Sequence, residues 1–192
     1  METDYPVSGD IELTVNPARS ADFTMSLRMP TWLDSAAVVA VNGEIVQTLH
    51  KGGYLDISRR WDKGDKVSVH LPLTTKVVRM GDPNRFQAVT RGPVVFARDS
   101  RYNDGDVDET SVIVADENGV IDASPAPGKF SWLTMEVPMV LGTDLEDPAH
   151  ARPEMIHFCD FGSAGNDWNK ASRYRVWLPQ TLHQMQSPYH KY

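Results

Sequence analysis

One cysteine among 192 residues permits no internal disulfide, so the stability of the fold must come from packing. Long apolar runs are also missing, and none approaches the roughly 18 residues that a membrane-spanning helix needs. The opening METDYPVSGD has neither a basic start nor an apolar stretch, and it does not read as a signal peptide. The compartment is therefore not written in this chain. Clusters of Lys and Arg are absent, and the net charge of −7 opposes attraction to phosphates. Neither nucleic acid nor a membrane is an expected partner. The sequence shows no internal repeat, no low-complexity tract and no amphipathic helical pattern of useful length. "KGG" and "GSAG" lack the strand-to-helix setting of a phosphate-cradling loop.

What remains is alternation. In "DIELTV" the apolar set is Ile11, Leu13 and Val15, and in "DFTMSLRM" it is Phe23, Met25, Leu27 and Met29. Period two places successive side chains on opposite faces of a strand. "AAVVAVNGEIVQ" holds Asn42-Gly43 between apolar runs, which predicts a hairpin with positive φ at both turn residues. "GGYLDIS" and "VSVHL" flank the turn "RRWDKGDK". Six short strands in about 65 residues predict an antiparallel β-sandwich. A boundary is placed after residue 73, which gives residues 1–73 as a first sandwich unit and 74–192 as a second with long loops. In the second, "LTTKVVRM", "FQAVTRG", "PVVFARD", "TSVIVAD", "FSWLTMEVP", "MIHFCDF" and "RYRVWLP" read as strands, and "GTDLEDPAHARPEM" reads as a long surface loop. The expected fold class is all-β, with two packed antiparallel sandwich units.

Chemistry is most tempting at "HFCDFGSAGNDWN", where Cys159 stands beside His157, Asp160 and Asp167. A cysteine nucleophile needs a base and a group that orients it. His157 is two residues from Cys159 and shares its face on a strand. Free cysteine, however, behaves mostly as a small buried hydrophobe, and Ile156, Phe158 and Phe161 surround this one in sequence. One cysteine also cannot build a Cys-rich zinc site, and the remaining histidines are scattered. Asp99, Asp104, Asp106, Asp108 and Glu109 form an acidic stretch without the ligand frame of an EF-hand, so a solvated loop is expected in preference to a Ca²⁺ site. No spacing singles out a carboxylate pair for glycoside hydrolysis. Trp32 and Trp168 sit beside Pro- or Gly-containing turns. They are the candidate sugar-binding aromatics and the expected edge of an exposed apolar patch.

The ordered set "TDYPVSGDIELTV", "FTMSLRMPTW", "AVVAVNGE", "GGYLDISRRWDKGDKVSVHLPL" and "FQAVTRGPVVFARD" resembles the post-catalytic β region of glycoside hydrolase family 127, the β-L-arabinofuranosidase type. The terminal "RYRVWLP" resembles the closing strand of that region. The resemblance implies a parent glycosidase whose α/α barrel carries a cysteine nucleophile and a zinc ion held by Cys and Glu. It implies no catalytic residue, metal ligand or cofactor in this chain, since Cys159 falls in the sandwich part. The chain then reads as an accessory sandwich whose partners are the missing catalytic barrel and a second copy of itself. An independent carbohydrate-binding module is the alternative.

Overall fold

The computed structural model describes residues 1–49, 52–81, 85–102, 104–142, 151–167, 169 and 171–180. The chain folds as two compact units, Met1–Thr74 and Thr75–Tyr192. The described residues are all-β, with one 3-10 turn at Ser100–Tyr102.

Among the described residues, unit 1 contains seven strands: β1 (Glu2–Thr3), β2 (Asp10–Val15), β3 (Ala21–Arg28), β4 (Ala37–Val41), β5 (Glu44–Leu49), β6 (Tyr54–Trp61) and β7 (Asp65–His70). Five form an antiparallel sheet in the order β1-β2-β7-β4-β5, and β3 pairs with β6 as a separate ribbon. Alternation in the sequence becomes a dry layer between the two. Val15, Val39, Val41, Val67 and Val69 come from the five-stranded sheet, and Leu55, Ile57 and Trp61 come from the ribbon. Trp61 is fully buried, and its indole donates to the Phe23 carbonyl at 3.0 Å, which removes the penalty of a buried N–H. The outer face of the ribbon is polar, with Thr24 bonded to Ser58 and Ser26 to Asp56. Tyr54 lies on that outer side and is exposed, so only Leu55 and Ile57 of "YLDI" serve the core.

The hairpin between β4 and β5 has φ of 51° at Asn42 and 87° at Gly43, as the Asn-Gly pair predicts. Asn42 also fixes the neighbouring strand: its Oδ1 accepts the Lys66 N–H and its Nδ2 donates to Asp65. A different constraint acts at Gly9. A Cβ there would lie 1.9 Å from the Leu71 carbonyl oxygen, where the chain leaving β7 passes beside the start of β2.

Unit 2 has β8 (Thr75–Met80), β9 (Phe86–Arg91), β10 (Val94–Asp99), β11 (Ser111–Ile113), β12 (Ala126–Pro127), β13 (Leu133–Leu141), β14 (Glu154–Asp160), β15 (Tyr174–Arg175) and β16 (Leu178–Pro179). They form one nine-stranded antiparallel sheet along β11-β13-β14-β10-β9-β16, with β8, β12 and β15 attached beside it. The sheet curls until its far strands meet. Gln87 of β9 donates to the Ser111 carbonyl at 2.6 Å and accepts the Ile113 N–H at 3.0 Å, so one buried amide stands in for a strand pairing. The buried side chains Leu133, Met135, Val137 and Met139 alternate along β13, and Phe96, Ile156 and Phe158 join them.

"RYRVWLP" is not the single strand its pattern predicts. Its first half pairs with β10 through Arg98 and Asp99, and its second half pairs with β9 through Phe86 and Gln87. The ladder between β10 and β9 ends at Phe96 and Val89, and the bend at Val176–Trp177 carries the segment from one strand to the other. Two-residue β1 and β12 are too short to carry a period, and no alternation announces them. Residues 143–150 of the predicted long loop, and the tail from residue 181, lie outside the described residues.

Two glycine substitutions separate crowding from backbone strain. Gly9→Ala should destabilise the protein by about 3 kcal/mol or more, because backbone must move. Gly43→Ala meets open space and should cost only the strain of positive φ, about 1–2 kcal/mol. Urea denaturation of both variants checks the order, and equal losses would contradict it.

Candidate functional site

The end of β10 reads F-A-R-D, and period two sends Arg98 and Asp99 to opposite faces of the sheet. Each is almost wholly buried, at 0% and 1% exposure. An unpaired charge in either place would be costly, and each gathers loops around itself.

Asp99 faces the 3-10 turn that follows it. Arg101 folds back and binds both carboxylate oxygens, with Nε at 3.0 Å from each and Nη2 at 2.7 Å from Oδ2. The Arg101 and Gly165 backbone N–H groups donate to the same carboxylate at 2.9 and 3.1 Å. The guanidinium continues outward to the carbonyls of Phe130 at 3.1 Å and Ser163 at 2.8 Å. Three loops that are distant in sequence are thereby tied to one ion pair. Burial works against the charged form of Asp99, but the hydrogen bonds from Arg101 and Gly165 outweigh it and hold the carboxyl below its ordinary range. Asp160 adds a second tie, accepting the N–H of Leu133 and of Ser163 at 2.9 Å each.

Tyr102 lies over the outer face of the sheet. Its ring stacks on His157 at 5.3 Å, meets Phe130 edge-on at 5.7 Å and binds Ser131 Oγ through its hydroxyl at 2.9 Å. His157 does share a face with Cys159, yet its ring nitrogens face Asp104 at 3.1 Å and Glu136 at 3.6 Å. The thiol has a carboxylate for a neighbour instead, with Sγ 4.0 Å from Asp99 Oδ2. Burial, and then the charge of Asp99, push the Cys159 thiol up to about 12. Thiolate is the form that attacks and the form that ligates zinc, so these residues fit neither a nucleophile nor a zinc site.

Arg98 points to the core side, where the acidic stretch closes over it. Its Nη2 donates to the Asp104 carbonyl at 2.6 Å and lies 4.0 Å from Glu109. Arg175, its partner across the β10–β15 pair, is hydrogen-bonded to Asp108, which also faces Arg173 at 3.5 Å. Val107 is buried within the same stretch. The acidic loop is thus docked on arginines rather than solvated, and the reason is the buried guanidinium that needs counter-charge. Among the described residues no group of three or more His, Cys, Asp or Glu side chains is placed to hold a metal ion.

Beside the Asp99–Arg101 pair lies an open groove of about 620 Å³ lined by Ser100, Arg101, Gly105, Phe130, Asn169, Ala171 and Ser172. Past Ser172 it meets a smaller recess of about 280 Å³ lined by Asp108, Arg173, Tyr174 and Arg175. Of the two tryptophans singled out in the sequence, Trp32 is half-buried in unit 1, packed against the hydrophobic core with its indole hydrogen-bonded to Tyr5. Trp168 lies outside the described residues. The exposed large apolar side chains of unit 1 include Ile45, Val46 and Tyr54. No sequence pattern announces the groove, since its walls come from segments some 30 and 70 positions apart that tertiary hydrogen bonds bring together, those of the Asp99–Arg101 pair and those between Ser100 and Arg173 among them.

Residues 1–73 match the family model described as "Beta-L-arabinofuranosidase, GH127 middle domain". No curated protein matches the chain. Among solved structures, the fold is similar to a GH127 β-L-arabinofuranosidase from Geobacillus stearothermophilus T6, with TM-score 0.72 and 24% identity over 94% of this chain. A glycoside hydrolase aligns with the same TM-score and identity, and a GH127 β-arabinofuranosidase with 0.64 and 23%. At such identities these structures show a shared fold. The chain spans 30%, 32% and 31% of their respective lengths. It therefore resembles a β-rich portion of GH127 proteins, and the family model falls on unit 1.

Removing the counter-ion tests the central pair. Arg101→Ala should cost about 3–5 kcal/mol at pH 7, because a buried carboxylate loses its partner. The stability that Asp99 contributes is complete above the unfolded value of 3.8 and is lost as pH falls through its depressed native value. The difference between wild type and variant should therefore shrink below about pH 4 in urea denaturation. A constant difference from pH 7 to pH 3 would contradict the electrostatic account. Cys159, fully buried and with its thiol at about 12, should react with a thiol reagent at pH 8 only as fast as the protein opens. Labelling at the rate of a free thiol would contradict its placement.

Proposed function

We propose that the chain is a non-catalytic β-sandwich region of a family 127-like glycoside hydrolase, where it supports the catalytic barrel or dimerisation. The observation that carries this reading is the match of residues 1–73 to a domain described as the middle of a β-L-arabinofuranosidase. A middle domain is by description part of a longer protein, and the chain spans about a third of its structural relatives. The chemistry supports the same conclusion, because the one thiol is protonated and buried, and the His157 imidazole faces Asp104 and Glu136 instead of it. Unit 1 also offers a surface for a supporting role. Strand β5 is an edge of its sheet and exposes Ile45 at 69% and Val46 at 45%. An apolar edge strand is unusual without something to cover it.

The reading is tested by assaying the chain with aryl α- and β-L-arabinofuranosides, with and without added zinc. The expected result is no turnover above buffer. Turnover that vanishes in Cys159→Ala would overturn it.

A further inference from the structure

We propose that the groove and its adjoining recess in unit 2 bind a neutral glycan chain. This deepens the glycosidase reading by giving unit 2 a ligand of its own, and it rests on the walls of the groove.

The first argument concerns charge. Every arginine lining the groove is matched by a carboxylate: Arg101 by Asp99 and Asp167, and Arg173 and Arg175 by Asp108. Three guanidiniums thus face three carboxylates across the groove and recess, with Arg173 and Arg175 sharing Asp108, so neither a phosphate nor a cation meets a net charge over the site as a whole. The surface left is rich in hydrogen-bonding groups and poor in net charge, which suits a ligand made of hydroxyl groups. The second argument concerns aromatic surface. Phe130 forms one wall and remains 37% exposed, with Lys129 Nζ over one face of its ring at 4.9 Å and the other face left to a ligand, and Tyr174 in the recess remains 40% exposed with Phe161 at 6.0 Å beside it. Large aromatic side chains left half in water beside a concavity offer flat apolar faces for the C–H faces of sugar rings.

The third argument concerns fixed polar groups. Ser100 Oγ accepts the Arg173 N–H at 3.0 Å, so its own O–H can donate into the groove. Asn169 uses Oδ1 to accept the Ala171 N–H at 2.8 Å, which orients its amide and leaves the two N–H bonds to a ligand. These groups are held before any ligand arrives, since Ser100 pairs with Arg173 through the backbone and the Asp99–Arg101 pair fixes the floor. Preorganisation of this kind lowers the ordering cost of binding. The combined space lies within the range usual for small-molecule sites, about 300–1,000 Å³.

The experiment is isothermal titration of the chain with arabinotriose and with maltotriose, and with inorganic phosphate as the charged comparator. Saturable binding of at least one trisaccharide is expected, with none of phosphate. Asn169→Ala and Phe130→Ala should each weaken it about tenfold. Tyr54→Ala, which removes an exposed aromatic from unit 1, should leave it unchanged. Far-UV circular dichroism confirms that each variant is folded, and Asn169→Ala decides the matter if Phe130→Ala is not. Absence of binding to both sugars at about 10 mM overturns the proposal, as does binding that survives Asn169→Ala, or binding of phosphate in place of sugar. Hydrolysis of aryl arabinofuranosides bears on the non-catalytic reading alone, so the two readings fail separately.

Discussion

Asp99 ends β10 with almost no exposure to water, and a carboxylate in that place must be neutralised and hydrogen-bonded or the strand cannot end there. Arg101 meets the need from two residues away, and its remaining donors extend the bond network to Phe130 and Ser163. One local requirement thus sets the position of loops some 30 and 60 residues downstream. The covered thiol of Cys159, the stacked Tyr102 and the floor of the groove all follow from it.

Arg98 imposes the complementary requirement on the other face. Its Nε and Nη1 have no hydrogen-bond partner among the described residues, and burial lowers its pKa against the pull of Asp104, Glu109, Asp106 and Glu154. A guanidinium so placed relies on surrounding charge more than on direct bonds. That reliance accounts for Asp104, Asp106 and Glu109 in one short stretch, while Asp108 between them serves Arg173 and Arg175. It also explains the close approach of Gly105, where a Cβ would lie 2.9 Å from Arg98 Nη2.

Much of the fold is legible in the sequence because period two survives wherever one face of a strand is buried. Val67 and Val69 of β7, and Leu133 through Met139 of β13, show it plainly, and Asn42-Gly43 sets its own turn. Burial of Cys159 follows from its apolar neighbours. The split of "RYRVWLP" is not legible, since alternation says nothing about which neighbour a strand pairs with. The acidic stretch reads as solvated for a similar reason: its counter-charge, Arg98, lies in a strand that looks wholly hydrophobic up to its last two residues. A site made of Ser100, Phe130 and Asn169 leaves no spacing signal, because tertiary hydrogen bonds and not local geometry assemble it.

Hydrogen–deuterium exchange at single-residue resolution examines the Asp99 network most directly. Gly165 lies in a surface turn, and its N–H is bonded to Asp99 Oδ2 at 3.1 Å. If the buried carboxylate organises the loops, Gly165 and Arg101 should exchange as slowly as strand amides of β14 and become fast together in Asp99→Asn. Exchange of the Gly165 amide at the rate of an exposed loop in the wild-type protein would contradict the account.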